Sequence, residues 1–312
     1  MAWASLRASK NLYEDTLILF GNNGNSIVNA CIFAPKRLPS SMAGHNLLAG
    51  KTGIITGALD PSSMAWQIAL KVQQEGGSFI LTNAPVALRF GSLRELAEQT
   101  QSEVVPCDVS VQADVDKLIL AAKERFGKID FLLHSIGMSF NVRKNRPYTD
   151  LNYDFLHKTY DISAISFHRI LQTCLQQDIF NEWASVVGLS YLAAQRTFGK
   201  YNDMAESKAL LESIARSFGY HLGKLKKVRV NTVSQSPTPT TAGSGVAGFD
   251  KMLHYAEKMS PLGNATASEC ADYVVTLFSD LTRKVTMQNL YHDGGFSMVG
   301  VSEEILESFS LE

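Results

Sequence analysis

From Lys51 onward, short runs of β-branched and apolar residues alternate with longer stretches whose apolar positions recur at helical spacing. A strand that reads as a nearly continuous apolar run must be covered on both faces, and strand–helix–strand alternation is the sequence form of a parallel sheet with helices on either side. Candidate strands are residues 52–56, 78–82, 103–107, 131–135, 185–190, 228–234 and 289–292. The helices between them are expected to begin near Met64, Gly91, Gln112, Asn152, Tyr201, Phe249 and Ser268, with Ser63 and Asp150 among the residues placed to cap them. The pattern predicts an α/β fold built on one doubly wound, parallel, seven-stranded sheet with helices on both faces. No repeat of solenoid period and no low-complexity tract interrupts it.

Residues 1–41 do not share the pattern. A Gly/Asn-rich turn at 20–26 and a Pro/Ser-rich stretch at 35–41 show neither strand nor helix period, and Met42 reads as a second start. They are expected to be an extension outside the fold, leaving 42–312 as a single domain. The apolar run 27–33 comes too late, and after Glu14 and Asp15, for a secretion signal. An organelle-targeting leader is the alternative, disfavoured because such leaders are basic and poor in acids.

Charge and cysteine usage narrow the partners. With 29 basic and 30 acidic residues, the net charge of −1 gives no reason to expect nucleic acid or an anionic membrane surface. Charged residues break every apolar stretch short of the roughly 20 residues a spanning helix needs. Cys31, Cys107, Cys174 and Cys270 are far apart and form no C-x-x-C pair, so neither a metal site nor a disulfide framework is expected, and a reducing cytoplasmic setting fits.

The candidate chemistry lies where the strands end, because ligands of open α/β sheets bind beyond the carboxyl ends of the strands. After the first strand, Gly57, Ala58 and Ser63 supply small residues over a loop longer than G-x-G-x-x-G, ahead of a helix starting at Met64. Such a loop lets backbone N–H groups approach a pyrophosphate, or is simply a tight connection. After the third strand, Asp108 could accept from an adenine amino group or cap a helix. After the fourth, Gly137 in His134-Ser135-Ile136-Gly137 could admit a dinucleotide closely or be a plain turn glycine; His134 alone reads as a core histidine.

The fifth strand ends at Tyr191, and Tyr201 follows ten residues later with Lys208 seven beyond it. At about 3.6 residues per turn, seven residues put both on one helix face roughly 10 Å apart along the axis. The ammonium is expected to lower the phenol's pKa and to be able to hold ribose hydroxyls. The one-turn pair Tyr220 and Lys224, with Ser207 upstream, lies too close to the sixth strand to serve at the carboxyl end of the sheet. The wide spacing suits an enoyl thioester, where hydride goes to C3 while charge develops on the C1 oxygen, so the acid must stand farther from the cofactor. The plain alternative is a helix with one surface Tyr and Lys.

Together these residues resemble the enoyl-acyl-carrier-protein reductases of the short-chain dehydrogenase/reductase superfamily, which have a Rossmann-type domain. The likeness runs from about Leu47 to Gly300. It is carried by residues 189–196 (LSYLAAQR) and 201–212 (YNDMAESKALLE), by 245–249 (GVAGF) and 260–263 (SPLG) in the substrate-loop region near 240–260, and by 291–295 (YHDGG). The resemblance implies reduction of the trans-2 double bond of enoyl-acyl-carrier-protein thioesters by NADH, the last reductive step of type II fatty acid elongation. It makes Tyr201, Lys208 and Tyr191 the catalytic residues: Tyr201 assists enolate formation and Lys208 binds the nicotinamide ribose. Tyr191, Tyr201, Met204 and Met138 would contact the acyl substrate. Gly57, Ser63, Met64, Ala84, Asp108, Val109, Ser135, Ile136, Gly137, Lys208, Pro237, Thr238 and Thr240 would hold the cofactor.

The acyl carrier protein is the implied partner and a homotetramer the implied assembly. NADH is expected over NADPH because residues 84–88 (APVAL) resemble the version in NADH-using relatives, although Asn83 stands where an acid usually takes the ribose and Arg89 is near. Residues 236–240 (SPTPT) depart from the family's usual Gly-Pro, and Ala247 and Asp250 stand where relatives often carry basic residues for the carrier. Gly243, Gly245 and Gly248 should give the loop 240–248 hinge freedom to close over the acyl chain. The alternatives are a superfamily member acting on a free small molecule, against which the Tyr-x6-Lys spacing argues, and a cofactor-sensing protein without catalysis.

Overall fold

The computed structural model describes residues 44–241, 243–246 and 248–309; the expected extension 1–41 lies outside them. Seven strands, β1 (Thr52–Thr56), β2 (Ser78–Thr82), β3 (Glu103–Val104), β4 (Ile129–His134), β5 (Phe180–Ser190), β6 (Arg229–Gln235) and β7 (Asn289–His292), form one sheet in the order β3-β2-β1-β4-β5-β6-β7. Every pairing is parallel. The chain reverses direction across the sheet between β1 and β4, so the crevice beyond their carboxyl ends is the place for a ligand.

The apolar runs are explained by the two cores. In β1, Ile54 joins one core with α4 (Gln112–Phe126), α7 (Ser166–Gln176) and α8 (Asn202–Lys226). Its neighbour Ile55 joins the other, with α1 (Met64–Gln74), α3 (Leu93–Thr100) and α10 (Ala267–Phe278). β4 divides likewise, Leu132 to the first core, Phe131 and Leu133 to the second. Since successive residues face opposite sides, a central strand has no polar side to show. Each such side chain contributes roughly 1.5–3 kcal/mol by leaving water.

Helix ends explain where the expected boundaries move. Asn152, not Asp150, caps α6 (Tyr153–Tyr160), its Oδ1 accepting from Phe155 N at 3.0 Å, because Asp150 lies in the preceding 3-10 turn Tyr148–Asp150. Ser63 precedes α1, but its hydroxyl accepts from Leu59 N (3.2 Å) and donates to the Asp60 carbonyl (2.8 Å), bracing the loop rather than capping the helix. β3 is an edge strand and is regular only over Glu103–Val104; beyond it Val105 N and Cys107 N still bond the Leu81 (2.9 Å) and Asn83 (3.0 Å) carbonyls, and Pro106 between them is tolerated because an N–H there would face away from β2. Short helices α2 (Ala87–Phe90), α5 (Phe140–Arg143) and α11 (Glu303–Glu307) were below the length at which periodicity is readable, as α9 (Phe249–Met259) was not.

Two irregularities interrupt the regular elements. Between α6 and α7 the helix widens into a π turn, Asp161–Ile165. Its Ser163 hydroxyl accepts from Met138 N (2.9 Å) and donates to the Met138 carbonyl (3.1 Å), while Ser166 reaches His134 at 2.8 Å. In β5 the register against β4 shifts, and Trp183 adopts a left-handed φ of 67°. Lys227, Arg283 and Lys284 lie 5.1–5.5 Å from its ring centre and cover it. Among the described residues no helix is long and apolar enough to cross a membrane.

Candidate active site

The strand ends of β4, β5 and β6 converge on a cavity of about 190 Å³. Its wall takes Ser135, Ile136, Gly137 and Met138 from the β4–α5 connection, Tyr191 from the end of β5, Tyr201, Met204 and Lys208 from α8, and Pro237, Thr238 and Thr240 after β6, with Met64 from the start of α1. All of these were expected at a site from sequence. Gly57, Ser63, Ala84, Asp108 and Val109 do not line the cavity; they follow β1, β2 and β3, on the other side of the strand-order reversal.

The start of α8 is fixed by a carboxylate the sequence reading missed. Asp203 is fully buried and accepts from Ser139 Oγ (2.6 Å), Asn141 Nδ2 (2.9 Å) and Thr159 Oγ1 (2.9 Å), tying α8 to α5 and α6. One Asp among many in an amphipathic helix carries no sequence signal of burial. Tyr201 stands at the N-cap position just ahead of it, its ring 5.1 Å from that of Tyr191 at 54°. Tyr191 packs on Phe198 and reaches Met252 Sδ at 3.5 Å.

Lys208, two turns on, is 8% exposed and donates to the Leu189 carbonyl at 2.7 Å. Burial pushes its ammonium down to about 8, with the Glu212 carboxylate one turn later working against the shift. Glu212 is in turn held by Ser190 Oγ (2.6 Å) and Gln195 Nε2 (3.1 Å), and Gln195 accepts from the Tyr291 hydroxyl. The expected lowering of the Tyr201 phenol by this ammonium is not found: burial drives its pKa above the ordinary tyrosine value. Tyr191 is raised as well, by burial first and then by Tyr201 and Asp293. Both phenols therefore stand protonated, as donors.

The remaining candidates sort by their partners. Gly137 faces Lys208 and Met204; a Cβ there would stand 3.7 Å from Lys208 Nζ and 3.8 Å from Met204 Cε, narrowing the space beside the ammonium. Gly57 has φ +85°, and a side chain there would run into the Ser135 carbonyl at 2.0 Å, so the turn after β1 needs glycine for backbone reasons alone. Asp108 is not a helix cap, since Val111 holds that position; one of its oxygens accepts from Ser110 N (3.0 Å) and Ser110 Oγ (2.6 Å). Ser166 donates to the Ile162 carbonyl, so His134 Nε2 is the donor between them; burial and Lys208 push His134 down to about 3, a neutral core histidine. Tyr220 is 54% exposed at the far end of α8. Lining residues not expected include Val142 and Arg143, carried by a helix too short to read, and Gln235 and Ser236, which end a strand whose burial hides their polar role.

A family model described as "Enoyl-(Acyl carrier protein) reductase" matches residues 57–297. The chain belongs to that family. As a reductase of this kind it is 32% identical over 259 residues to "Enoyl-[acyl-carrier-protein] reductase [NADH] 2" of Rhizobium meliloti, covering 82% of this chain and 95% of the relative. The corresponding FabI protein of Escherichia coli is 31% identical, covering 82% and 97%. Among solved structures, the FabI–NADH complex of Alistipes finegoldii is 59% identical, with a TM-score of 0.84 over 85% of this reductase and 94% of that chain. The parallel seven-stranded Rossmann-type sheet is thus the family's fold, and the cavity at its carboxyl edge lies within the matched segment.

Proposed function

We propose that this chain uses NADH to reduce the trans-2 double bond of an enoyl thioester presented by acyl carrier protein, the last reductive step of type II fatty acid elongation. One observation carries the reading: a protonated Tyr201 and a buried Lys208, two helical turns apart, line the same cavity. The residues fit the cofactor. Lys208 uses one hydrogen on Leu189, which leaves ammonium hydrogens for ribose hydroxyls, and Gly137 keeps the space beside it open. When bound, NADH supplies the hydride that adds to C3 of the thioester.

In this reading Ser135, Ile136, Gly137, Pro237, Thr238 and Thr240 border the nicotinamide end, Gly57, Ser63 and Met64 the pyrophosphate, and Ala84, Asp108 and Val109 the adenosine. Addition at C3 drives negative charge onto the C1 oxygen, where the Tyr201 hydroxyl donates. Burial holds the proton on the phenol until that charge appears, which makes the interaction strongest in the transition state. Tyr191 stands beside it as a second donor, and Met138 and Met204 give the acyl chain an apolar wall. The reading extends to a cytoplasmic homotetramer, which light scattering on the purified protein tests.

The deciding assay is steady-state oxidation of NADH with a crotonyl thioester. Turnover supports the reading. No NADH consumption with the thioester, or consumption only with free ketones, refutes it.

A further inference from the structure

Tyr201 occupies the N-cap position of α8, a place usually held by a short polar side chain that accepts from the first free N–H groups of the helix. Tyrosine is too long for that, and no side-chain cap is made there. The next residue, Asn202, is buried and has a left-handed φ of 41°. Left-handed residues at Gln101 and Lys227 close helices, where that conformation is ordinary. Asn202 instead opens one, where no capping motif calls for it. Asparagine tolerates the region better than most residues, which accounts for the residue type. A left-handed residue that no turn or cap requires is held by its surroundings at a cost, and such residues collect where function needs them.

Two sets of bonds hold Asn202 in this state. Its own Nδ2 donates to the Arg146 carbonyl at 2.7 Å. One residue on, the Asp203 carboxylate is gripped by Ser139, Asn141 and Thr159. Asn141 ties the two sets together: its carbonyl accepts from Arg146 N at 3.0 Å, and its side chain accepts from Asn152 N (3.0 Å) and donates to the Asn152 carbonyl (3.1 Å). The segment that fixes the start of α8 therefore begins at Ser139, in the cavity wall. Relaxing Asn202 to a helical φ would rotate Tyr201 relative to the rest of α8 by about 100° about the Asn202 N–Cα bond. Lys208 lies beyond that pivot and would keep its place on the helix.

We infer that Asn202 is a positioning residue for the reduction: its locked left-handed backbone aims the Tyr201 hydroxyl at the thioester C1 oxygen. The inference rests on the reading that Tyr201 donates to an enoyl thioester in this cavity. Asn202 does not line the cavity, so its effect on the chemistry passes through Tyr201. Aim matters because a donor stabilises the developing charge only from hydrogen-bond distance, and a small misplacement forfeits most of the effect.

The test is a double-mutant cycle on the full chain, with NADH and a crotonyl thioester as substrates. Asn202→Ala removes both the tie to Arg146 and the tolerance of a left-handed φ, whereas Asn202→Gly removes the tie and keeps the tolerance. Asn202→Ala should lower kcat by about tenfold and change the Kd for NADH by less than about twofold, since the acid moves and Lys208 does not. Asn202→Gly should keep kcat within about threefold of wild type. In a Tyr201→Phe chain, Asn202→Ala should change the residual kcat by less than about twofold, because the hydroxyl it aims is gone. An equal proportional loss in both backgrounds would overturn the role, as would a wild-type kcat in Asn202→Ala, a weakening of NADH as large as the loss in kcat, or a loss in Asn202→Gly as large as in Asn202→Ala. If Asn202→Ala does not fold, Asn202→Asp, which tolerates the same φ and loses the donor to Arg146, replaces it in the cycle. A loss of about threefold confined to the Tyr201 chain then supports the role, and an equal loss in both backgrounds overturns it. If the wild-type chain reduces no crotonyl thioester, the reading of the reaction falls and takes the positioning role with it; if it does and the cycle shows no coupling, the positioning role alone falls.

Discussion

A buried lysine should cost stability at neutral pH and give that stability back as the solution becomes more alkaline. Lys208 titrates near 8 in the folded chain against 10.5 for an exposed lysine. Between those values the unfolded chain carries the proton and the folded chain does not. Unfolding then takes up a proton, so stability rises with pH across the window. Below pH 8 the folded chain bears the full cost of the buried charge; above about 10.5 it bears none. At 1.36 kcal/mol per pKa unit, the shift amounts to about 3 kcal/mol. Other lysines and tyrosines titrate in the same range, so the measurement must be a difference. Lys208→Met keeps the stem and removes the charge, and its loss of the bond to Leu189 does not vary with pH. Urea unfolding of both proteins without cofactor, at steps from pH 7 to 10, should show wild type gaining on the variant with a slope of up to about 1.4 kcal/mol per pH unit. Parallel curves would mean that the ammonium is solvated after all, and the electrostatic description of the cavity would be wrong.

Lys208→Ala should weaken NADH binding by about 1.5–3 kcal/mol through loss of a charge-assisted bond, read by fluorescence titration. Tyr201→Phe should leave NADH affinity near wild type and lower kcat without abolishing it, because Tyr191 stands 5.1 Å away as an alternative donor; a normal kcat would remove Tyr201 from the chemistry. Asp203→Ala removes the acceptor of Ser139 and Asn141, while Thr159 keeps the Phe155 carbonyl at 2.8 Å, and its thermal unfolding should report a loss on the order of 2 kcal/mol. Amide hydrogens of residues 240, 241, 243–246 and 248 in the substrate loop should exchange more slowly once cofactor and a substrate analogue are bound; unchanged rates would refute closure.

The sheet was legible because its inner strands are buried on both faces: β1 and β2 begin and end where the apolar runs do. Residues 52–56 could hardly be anything else, with Ile54 and Ile55 serving opposite cores. Periodicity failed where an element is barely one period long, as at Phe140–Arg143, and there it also missed Arg143 and Val142 in the cavity wall. Spacing put Tyr201 and Lys208 on one helix face but left a surface pair open, and it took the resemblance to single them out; the structure sets both on the wall of one cavity. The state of the phenol was not legible, since it depends on burial that only the assembled strand ends create. Asp203 shows the same limit: its three donors come from Ser139, Asn141 and Thr159, which become neighbours only after folding.

The π turn at Asp161–Ile165 has a consequence for how this chain can vary in length. A widened turn is one residue more than the helix geometry calls for, and each residue rotates a helix by about 100°. With the extra residue present, Ser163 points to Met138 and Ser166 points to His134 at the same time. Deleting a residue here would restore regular helix but turn one flank by more than a quarter circle, so that either the cavity-side loop loses its clasp or the histidine at the end of β4 loses its acceptor. Inserting one would do the same in the other sense. The segment is therefore a ratchet: substitutions can accumulate along it, while its residue count is locked to the two contacts it serves.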